Sequence, residues 1–264
     1  MYKLVVTDLD NTLLNKDGEV EESTKELLKK LDKKVKIAIA TGRSLASAKA
    51  ITEELGLNSP MICYNGAQII DENGDVIYSS NVPKDVQEEI IEYVVKNNLY
   101  LQIYDKGEIV VSELNLKAHP DPDLKYAKYR ETGSIEKLKF IDTPKLLIAV
   151  EVEKANEIQE ELERKFDKRA YFAKSEKHLI EVMKKGTDKG QALKKLAEHL
   201  GIKREEVMAI GDNTNDIGLL EEAGLSVAVS NSVESLKKIA DYICEQERSE
   251  GFNEAIEKFI INKN

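Results

Sequence analysis

The stretch Val5-Val6-Thr7-Asp8-Leu9-Asp10-Asn11-Thr12-Leu13-Leu14 (VVTDLDNTLL, residues 5–14) places two carboxylates at the end of an apolar run. Residues 4–7 are apolar or β-branched, which is typical of a buried strand. Asp8 and Asp10 repel each other, and a buried carboxylate is costly unless it is paired, hydrogen-bonded or bound to a metal. Asp and Asn are also common turn formers after strands. The stretch alone therefore leaves an ordinary turn and a functional site open.

The composition bounds the classes of protein to which this chain can belong. Its 264 residues are 41% hydrophobic and 33% charged, which is enough for one large domain or two smaller ones. The formal net charge of −10 argues against nucleic acid or an anionic membrane surface as the main partner. No stretch approaches the roughly 18 apolar residues of a membrane-spanning helix, and no signal peptide is visible. We expect a cytoplasmic monomer that acts on a small molecule.

Cysteine and histidine usage gives no sign of a zinc site or of disulfides. Cys63 and Cys244 each lie in an apolar run and are expected to be buried free thiols, as in a reducing cytosol. No Cys/His cluster has the spacing of zinc ligands. His119, His178 and His199 are isolated from one another in sequence, and a lone histidine is more often a surface or packed residue than a ligand.

Short apolar segments alternate with amphipathic segments at both ends of the chain. This alternation predicts an α/β fold of the Rossmann-like, doubly wound type, in which buried parallel strands read as wholly apolar runs. The helices are expected to begin at caps such as Ser23-x-x-Glu26 and to end at glycines such as Gly56 and Gly201. The predicted strands are 5–6, 35–40, 61–64, 207–210 and 225–229, and the predicted helices are 44–55, 187–200, 215–223 and 233–240.

The middle of the chain follows a different pattern. Its segments are longer and partly amphipathic, with helices expected over 86–96 and 155–166 and several strands around them. We interpret residues 81–184 as an α+β cap domain inserted into a core domain formed by 1–80 and 185–264. The segment 116–139, which contains Pro120 and Pro122, receives no assignment.

Polar clusters follow the predicted strands of the core domain or open its helices. Ligands of a parallel sheet bind beyond the carboxyl ends of the strands, which is where such clusters collect. Taken singly, each cluster is explained as a turn, a helix cap or a solvated charge. Four ordinary turns would not each be expected to supply one part of a catalytic set, so we interpret them as one site. The clusters are DLDNT at 8–12, TGR at 41–43, KG at 189–190 and GDNTND at 211–216.

The side chains of these clusters suit a phosphate and a hard cation. Asp8, Asp10 and Asp212 supply carboxylates with few His or Cys nearby in sequence, which favours Mg²⁺. A divalent cation would relieve the repulsion between the carboxylates. A carboxylate nucleophile beside a second carboxylate is also a route to an aspartyl-phosphate. The donors that a phosphate needs are Thr41, the Gly42 amide and Lys189.

The order and spacing of these motifs resemble those of the haloacid dehalogenase superfamily of phosphatases. The resemblance is greatest to its Cof-type branch, in which a cap domain is inserted between the second and third motifs. Most relatives have Gly where this chain has Asn11, and Asn tolerates the left-handed backbone conformation better than most residues. The matching segments are DLDNTLL (8–14), TGR (41–43), NGA (65–67), DKG (188–190), GDNTND (211–216) and VAVSNSVESLKKIADYI (227–243).

The resemblance implies a role for each motif residue. Asp8 would attack the phosphorus atom, and Asp10 would protonate the leaving alcohol and then accept a proton from the hydrolytic water. Mg²⁺ would be held by Asp8, the backbone carbonyl of Asp10, and Asp212. The groups implied to hold the phosphoryl oxygens are the Leu9 and Gly42 amides, Thr41, Lys189 and Asn215.

Four further residues have two interpretations each. Asp216 would orient either Lys189 or a metal-bound water. Arg43 would pair with an acidic side chain or meet the substrate, and Asn65 would face the substrate or form its turn. Glu181 would touch substrate from the cap, although a structural role is the preferred interpretation.

The implied function is a Mg²⁺-dependent phosphatase for small phosphomonoesters, with sugar phosphates as the expected substrates. Closure of the cap would exclude water and select the leaving group. A sugar phosphomutase would use the same Asp8 and Asp10, but would return the phosphoryl group to the bound sugar. A non-catalytic sensor of a phosphate ligand is the alternative from another class.

Overall fold

The computed structural model describes residues 1–31, 35–115, 126–166 and 168–262. They divide into two compact units. Unit 1 comprises Met1–Arg43, Ala48–Tyr78 and Asp188–Asn264, and unit 2 comprises Ser44–Ser47 and Ser79–Thr187. Each unit contains its own sheet and its own hydrophobic core.

The described residues contain fourteen strands and eight α-helices. The strands are β1 (Leu4–Thr7), β2 (Lys36–Ala40), β3 (Met61–Cys63), β4 (Gln68–Ile70), β5 (Val76–Ser79), β6 (Tyr100–Asp105), β7 (Glu108–Val111), β8 (Lys128–Glu131), β9 (Leu146–Ala149), β10 (Ala170–Glu176), β11 (Leu179–Lys184), β12 (Val207–Gly211), β13 (Leu225–Ala228) and β14 (Tyr242–Ile243). The helices are α1 (Glu22–Leu31), α2 (Leu45–Glu54), α3 (Lys84–Lys96), α4 (Ala155–Phe166), α5 (Lys189–Leu200), α6 (Ile217–Glu221), α7 (Glu234–Lys237) and α8 (Arg248–Ile256).

Unit 1 is built on an eight-stranded sheet in the order β14-β13-β12-β1-β2-β3-β4-β5. The pairing from β14 to β3 is parallel, and β4 then pairs with β3 in the antiparallel sense. The chain leaves β1 toward β2 on one side, while β12 lies on the other, so the strand order reverses at β1. Ligands of doubly wound sheets bind at such a point. The α/β fold class with a doubly wound parallel sheet is confirmed.

The central strands of unit 1 are buried because their side chains are apolar on both faces. Leu4, Val6 and Ala209 are fully buried in one core cluster with residues of α5. Within the register, Thr7 lies opposite Ile39 on one side and Ile210 on the other. The polar residues after these strands therefore start from neighbouring positions along one edge of the sheet.

Unit 2 has a six-stranded sheet in the order β10-β11-β9-β6-β7-β8. Its pairings are antiparallel except for β7 with β8, and α3 and α4 contribute to its core. The helices expected over 86–96 and 155–166 are thus found as α3 and α4. His119, Pro120 and Pro122 lie outside the described residues. In the part of the chain that the structure describes, no helix is long and apolar enough to cross a membrane.

Close approach of two helices fixes the start of α5. A Cβ atom at Gly190 would lie 2.3 Å from the carbonyl oxygen of Gly218, and one at Gly218 would lie 2.8 Å from Asp188 Oδ1, so both positions favour glycine. The Asp188 side chain caps α5 by accepting from the Gln191 N–H at 2.9 Å. Lys189, the first residue of α5, is consequently held against the beginning of α6.

The helix expected over 215–223 is shorter than the prediction. Residues Thr214–Asp216 form a 3-10 turn, and only Ile217–Glu221 is α-helical. In this turn the Asp216 carboxylate accepts hydrogen bonds from the backbone N–H groups of Asp212 and Asn213. The α-helix therefore begins at Ile217, after this turn, and ends at Glu221.

Candidate active site

A buried ammonium group lies between two buried carboxylates at the carboxyl end of β1. The Nζ of Lys189 donates to Asp8 Oδ1 at 2.6 Å and to Asp216 Oδ1 at 2.7 Å. Lys189 and Asp216 are fully buried, and Asp8 is 5% exposed. Because a buried charge is stable only when it is paired and hydrogen-bonded, these three groups depend on one another.

Asp216 is fully engaged with protein groups. Its Oδ1 accepts from Lys189, and its Oδ2 accepts from the backbone N–H groups of Asp212 and Asn213 at 3.0 and 3.1 Å. A Cβ atom at Gly211 would lie 2.6 Å from the Asp216 Cβ, so this glycine makes room for the side chain. Of the two interpretations left open by the sequence, these contacts favour the orientation of Lys189.

Thr12 is a site residue that the sequence analysis did not single out. Its Oγ1 donates to Asp212 Oδ1 at 3.2 Å, and it is fully buried. The available signal was its position inside the first motif, four residues after Asp8, where a hydroxyl can reach the loop that follows β12. Thr12 thus orients one carboxylate oxygen of Asp212.

The carboxylates form a group that fits a hard cation. One oxygen from each of Asp8, Asp212 and Asp216 can be chosen so that all three lie within 4.8 Å of one another. The donor set contains only oxygen, which Mg²⁺ prefers over softer metals. Since Asp216 already accepts three hydrogen bonds, Asp8 and Asp212 are the side chains best suited to hold an ion directly.

The pKa shifts of these buried groups also favour a bound cation. Burial raises the pKa of Asp8 well above its ordinary value, against the opposing effect of Lys189, and nearby Asp216 adds to the rise. Burial and the charge of Asp216 raise the pKa of Asp212 to about 6. Burial alone would lower the pKa of Lys189, but the two carboxylates outweigh it and raise that pKa. A divalent cation would relieve the repulsion that these carboxylates experience.

Replacement of Asp212 by Asn is expected to stabilise the metal-free protein by about 1–2 kcal/mol at pH 7.5. Between the ordinary pKa of 3.8 and about 6, the folded state holds a proton on Asp212 that the unfolded state has lost. The free energy of unfolding therefore falls as the pH rises through this window, and Asp212→Asn removes that part of the dependence. Urea unfolding from pH 4 to 8, in EDTA, measures the effect.

The same variant tests whether Asp212 holds an ion. Mg²⁺ should raise the melting temperature of the wild-type protein at pH 7.5 and should leave that of Asp212→Asn unchanged. The matched control is Asp17→Asn at an exposed position, which should keep the Mg²⁺ effect. Equal Mg²⁺ stabilisation of Asp212→Asn and wild type would contradict the assignment.

A set of hydrogen-bond donors lies at the ends of β1 and β2. Thr41 is fully buried, and its Oγ1 accepts from the Arg43 N–H at 3.1 Å, which leaves the hydroxyl proton to donate elsewhere. Among the described residues we find no acceptor for the backbone N–H groups of Leu9 and Gly42. Unpaired backbone donors beside a cationic side chain form an anion-binding arrangement.

Asn65 and Asn215 meet beside this set of donors. The Nδ2 of Asn215 donates to Asn65 Oδ1 at 3.1 Å. A Cβ atom at Gly42 would lie 3.0 Å from the same oxygen, so Asn65 packs directly against the Gly42 backbone. Asn65 has a φ of 52° and forms the turn after β3, which is one of the two interpretations left open by the sequence. A contact between Asn65 and substrate stays a prediction.

Asp10 is held by Arg43 rather than by the lysine group. Arg43 Nη2 donates to Asp10 Oδ1 at 2.6 Å, and its Nε lies 3.0 Å from Asp10 Oδ2. Such a two-pronged contact fixes the orientation of a carboxylate. Arg43 therefore pairs with an acidic side chain, one of the two alternatives that the sequence left open.

Other residues named from the sequence lie elsewhere. Glu181 is buried in unit 2, where Lys145 Nζ donates to its Oε1 at 2.7 Å. His199 is exposed on α5. Cys63 and Cys244 are buried thiols that are not in a disulfide, as expected.

Comparison with known proteins identifies the family. The sequence model of the haloacid dehalogenase-like hydrolases matches residues 5–256. An HMP-PP phosphatase of Serratia proteamaculans is 31% identical over 257 residues, which cover 94% of this chain and 92% of that protein. A 5-amino-6-(5-phospho-D-ribitylamino)uracil phosphatase of Bacillus subtilis is 26% identical over 285 residues, with 98% of each chain covered.

The solved structures agree with these sequence matches. A haloacid dehalogenase-like hydrolase from Bacteroides thetaiotaomicron has a TM-score of 0.88 and 32% identity, with 98% of this chain and 100% of that chain covered. The resemblance seen in the sequence motifs is thereby confirmed, as is the expectation of an enzyme, a hydrolase with relatives named as phosphatases. This chain belongs to the haloacid dehalogenase-like hydrolase family.

Proposed function

We propose that this protein is a Mg²⁺-dependent phosphatase that hydrolyses small phosphomonoesters through an aspartyl-phosphate on Asp8. The observation that carries the proposal is the buried Lys189, which bridges Asp8 and Asp216 at 2.6 and 2.7 Å. The ammonium group of Lys189 places a positive charge beside the carboxylate of Asp8, the residue that directly follows β1. A phosphoryl group bound there would meet a nucleophile and a charge-stabilising group together.

The proposed reaction has two chemical steps. In the first, an oxygen of Asp8 forms a bond to phosphorus while the bond from phosphorus to the leaving oxygen breaks, and Asp10 donates a proton to that oxygen. In the second, the oxygen of a water molecule forms a bond to phosphorus while the bond from phosphorus to the Asp8 oxygen breaks, and Asp10 accepts a proton from that water. Phosphate is released and the Asp8 carboxylate is restored. In the structure both Asp10 oxygens accept from Arg43, so Asp10 would have to release this pair in order to donate the proton of the first step.

The remaining site residues would bind the phosphoryl oxygens and the metal. The Leu9 and Gly42 amides, the Thr41 hydroxyl, Lys189 and Asn215 are proposed to donate to the oxygens. Asp8, the backbone carbonyl of Asp10, and Asp212 are proposed to hold Mg²⁺. A bound Mg²⁺ would supply neutralising charge between the carboxylate and the phosphate.

We infer that the substrate carries its phosphate on a small polyol or sugar. The support is the Bacillus subtilis relative, which is named as a phosphatase for a 5-phospho-D-ribitylamino compound. Because the Serratia relative is named for HMP-PP, phosphate compounds other than sugar phosphates should also be tested. Unit 2 is proposed to select the leaving group as a cap. The net charge of −10 argues against nucleic acid as the substrate. A cytoplasmic monomer that acts on a free small molecule is part of the same proposal.

The test is phosphate release from a panel of sugar phosphates, polyol phosphates, nucleotides and 4-nitrophenyl phosphate. We expect turnover with Mg²⁺, none with EDTA, and a preference for one class of leaving group. Dependence on an added sugar bisphosphate would instead indicate the phosphomutase. Tight binding without turnover of any compound by folded, Mg²⁺-loaded protein would contradict the phosphatase and support the sensor.

A further inference from the structure

Asn231 in the loop after β13 holds two strained backbone positions with one carboxamide. Its Nδ2 donates to the backbone carbonyl of Asn11 at 2.9 Å, and its Oδ1 accepts from the backbone N–H of Arg248 at 2.8 Å. Asn11 and Arg248 have φ values of 59° and 52°, in the left-handed region that non-glycine residues rarely adopt. Such conformations persist when surrounding contacts specify them, and Asn231 supplies that contact to both.

The contact with Asn231 bears on the chemistry of the site because Asn11 lies between two site residues. Asp10 directly precedes it, and Thr12, which donates to Asp212 Oδ1 at 3.2 Å, directly follows it. A change in the backbone at Asn11 would therefore move the carboxyl group before it and the hydroxyl after it. The hydrogen bond from Asn231 fixes the direction of the Asn11 carbonyl, in the peptide group that joins Asn11 to Thr12.

The loop that carries Asn231 is itself hydrogen-bonded to the end of β12 and to the loop that follows it, which carries Asp212. Ser232 Oγ donates to the carbonyl of Gly211 at 3.1 Å, and the Val233 N–H donates to the carbonyl of Asp212 at 2.9 Å. Asn231 thus reaches Asn11 from a support that is hydrogen-bonded to the backbone of Asp212. The two loops are held in a fixed relation by residues outside the four polar clusters.

We propose that Asn231 is a positioning residue for Asp10, acting through the left-handed turn at Asn11. It places the Asp10 carboxyl group where the leaving oxygen needs a proton, and it does not itself touch the substrate. The proposal rests on the proposed function, because it concerns proton transfer by Asp10 in the same site.

The variant that tests this is Asn231→Asp. Aspartate has the same shape and keeps an oxygen to accept from the Arg248 N–H, but it cannot donate to the Asn11 carbonyl and would repel it. The two probes are phenyl phosphate and 4-nitrophenyl phosphate, which are similar in size but differ in how strongly the leaving oxygen needs a proton. The quantity compared is kcat/KM, which reports the steps up to formation of the aspartyl-phosphate.

If Asn231 positions the acid, Asn231→Asp should lower kcat/KM about 30-fold for phenyl phosphate and at most about 3-fold for 4-nitrophenyl phosphate. Inhibition by inorganic phosphate should stay within about 3-fold of wild type, because the phosphate donors are elsewhere. A loss of structure would lower kcat/KM equally for both substrates. An equal fall for both probes, or no fall for either, would overturn the proposal.

A rescue experiment tests the route through Asn11. Glycine adopts positive φ without the Cβ penalty, so the turn should depend less on Asn231 in the Asn11→Gly background. There, Asn231→Asp should change kcat/KM for phenyl phosphate by no more than about 3-fold. An undiminished fall in that background would show that Asn231 does not act through residue 11, and the proposal would be rejected.

The control removes an equivalent amide donor away from the site. Asn73 Nδ2 donates to Asp71 Oδ2 at 3.2 Å in the exposed turn before β5, so Asn73→Asp makes the same chemical change. It should leave both kcat/KM values unchanged. Absence of turnover of 4-nitrophenyl phosphate and of every other panel compound by the wild type with Mg²⁺ would reject the proposed function itself, and the role of Asn231 with it. Wild-type turnover with an unaffected Asn231→Asp variant would reject only the role of Asn231.

Discussion

Asp8→Asn is expected to lower kcat for phosphate release by about 10³-fold or more, with the fold intact. The amide is a poor nucleophile and a weaker metal ligand, but its oxygen can still accept the hydrogen bond from Lys189. Burial already raises the pKa of Asp8, so an uncharged side chain is well tolerated at this position. Phosphate release from 4-nitrophenyl phosphate, together with the melting temperature, separates lost chemistry from lost structure.

The matched control for this substitution is Asp17→Asn, which changes an exposed aspartate in the same unit and should leave kcat unchanged. Asp10→Asn adds a second readout. 4-Nitrophenolate leaves without an acid, so the first step continues while the second lacks its base, and phosphoenzyme should accumulate. Mass spectrometry should locate the phosphoryl group on the peptide that contains Asp8. More than about a tenth of wild-type activity in Asp8→Asn, or an adduct on another peptide, would contradict the proposed nucleophile.

The central part of the fold could be predicted because its strands are short and apolar on both faces. The runs at 4–7, 35–40 and 207–210 do not read as amphipathic surface elements, so they predict buried parallel strands, and they are found side by side as β1, β2 and β12. The polar residues that follow them then had to lie along one edge. The sequence therefore indicated which residues collect there, whereas their catalytic roles stay predictions.

Contacts set by three-dimensional details could not be predicted. The 3-10 turn that precedes α6 carries two backbone hydrogen bonds to Asp216, which a periodic pattern of apolar residues does not report. The bond between Asn231 and Asn11 joins residues 220 positions apart. Arg43 had two partners of equal chemical merit, and only the geometry favours Asp10. Each of these features depends on side-chain direction, which the local sequence does not determine.

Replacement of Lys189 by Met is expected to lower the free energy of unfolding by about 3–5 kcal/mol at pH 7.5. The substitution leaves Asp8 and Asp216 buried without their shared cation, and both are more than nine-tenths buried. The deficit should shrink as the pH falls, because protonation removes the unpaired negative charge. Urea unfolding of the metal-free protein between pH 5 and 8 measures both the deficit and its pH dependence.

A second variant separates the stabilising role of Lys189 from its proposed role in catalysis. In the double variant Lys189→Met with Asp216→Asn, one buried negative charge disappears with the positive one. Replacing a buried ion pair by uncharged groups of similar size is often close to neutral, so stability should return to within about 1–2 kcal/mol of wild type. Activity should nevertheless stay at least about 100-fold below wild type, because the phosphoryl group would have no buried cation beside it.

The control on the same helix is Lys194→Met, which removes a charge from the exposed face of α5 and should change stability by less than about 0.5 kcal/mol. If the double variant recovered activity together with stability, Lys189 would serve only to neutralise buried carboxylates, and its proposed contact with the phosphoryl group would be wrong. If neither variant lost stability, the buried bridge between Asp8 and Asp216 would not be the organising contact of the site. Recovered stability without activity is the result that the bridging geometry predicts, since the position between two carboxylates fixes Lys189 before any substrate binds.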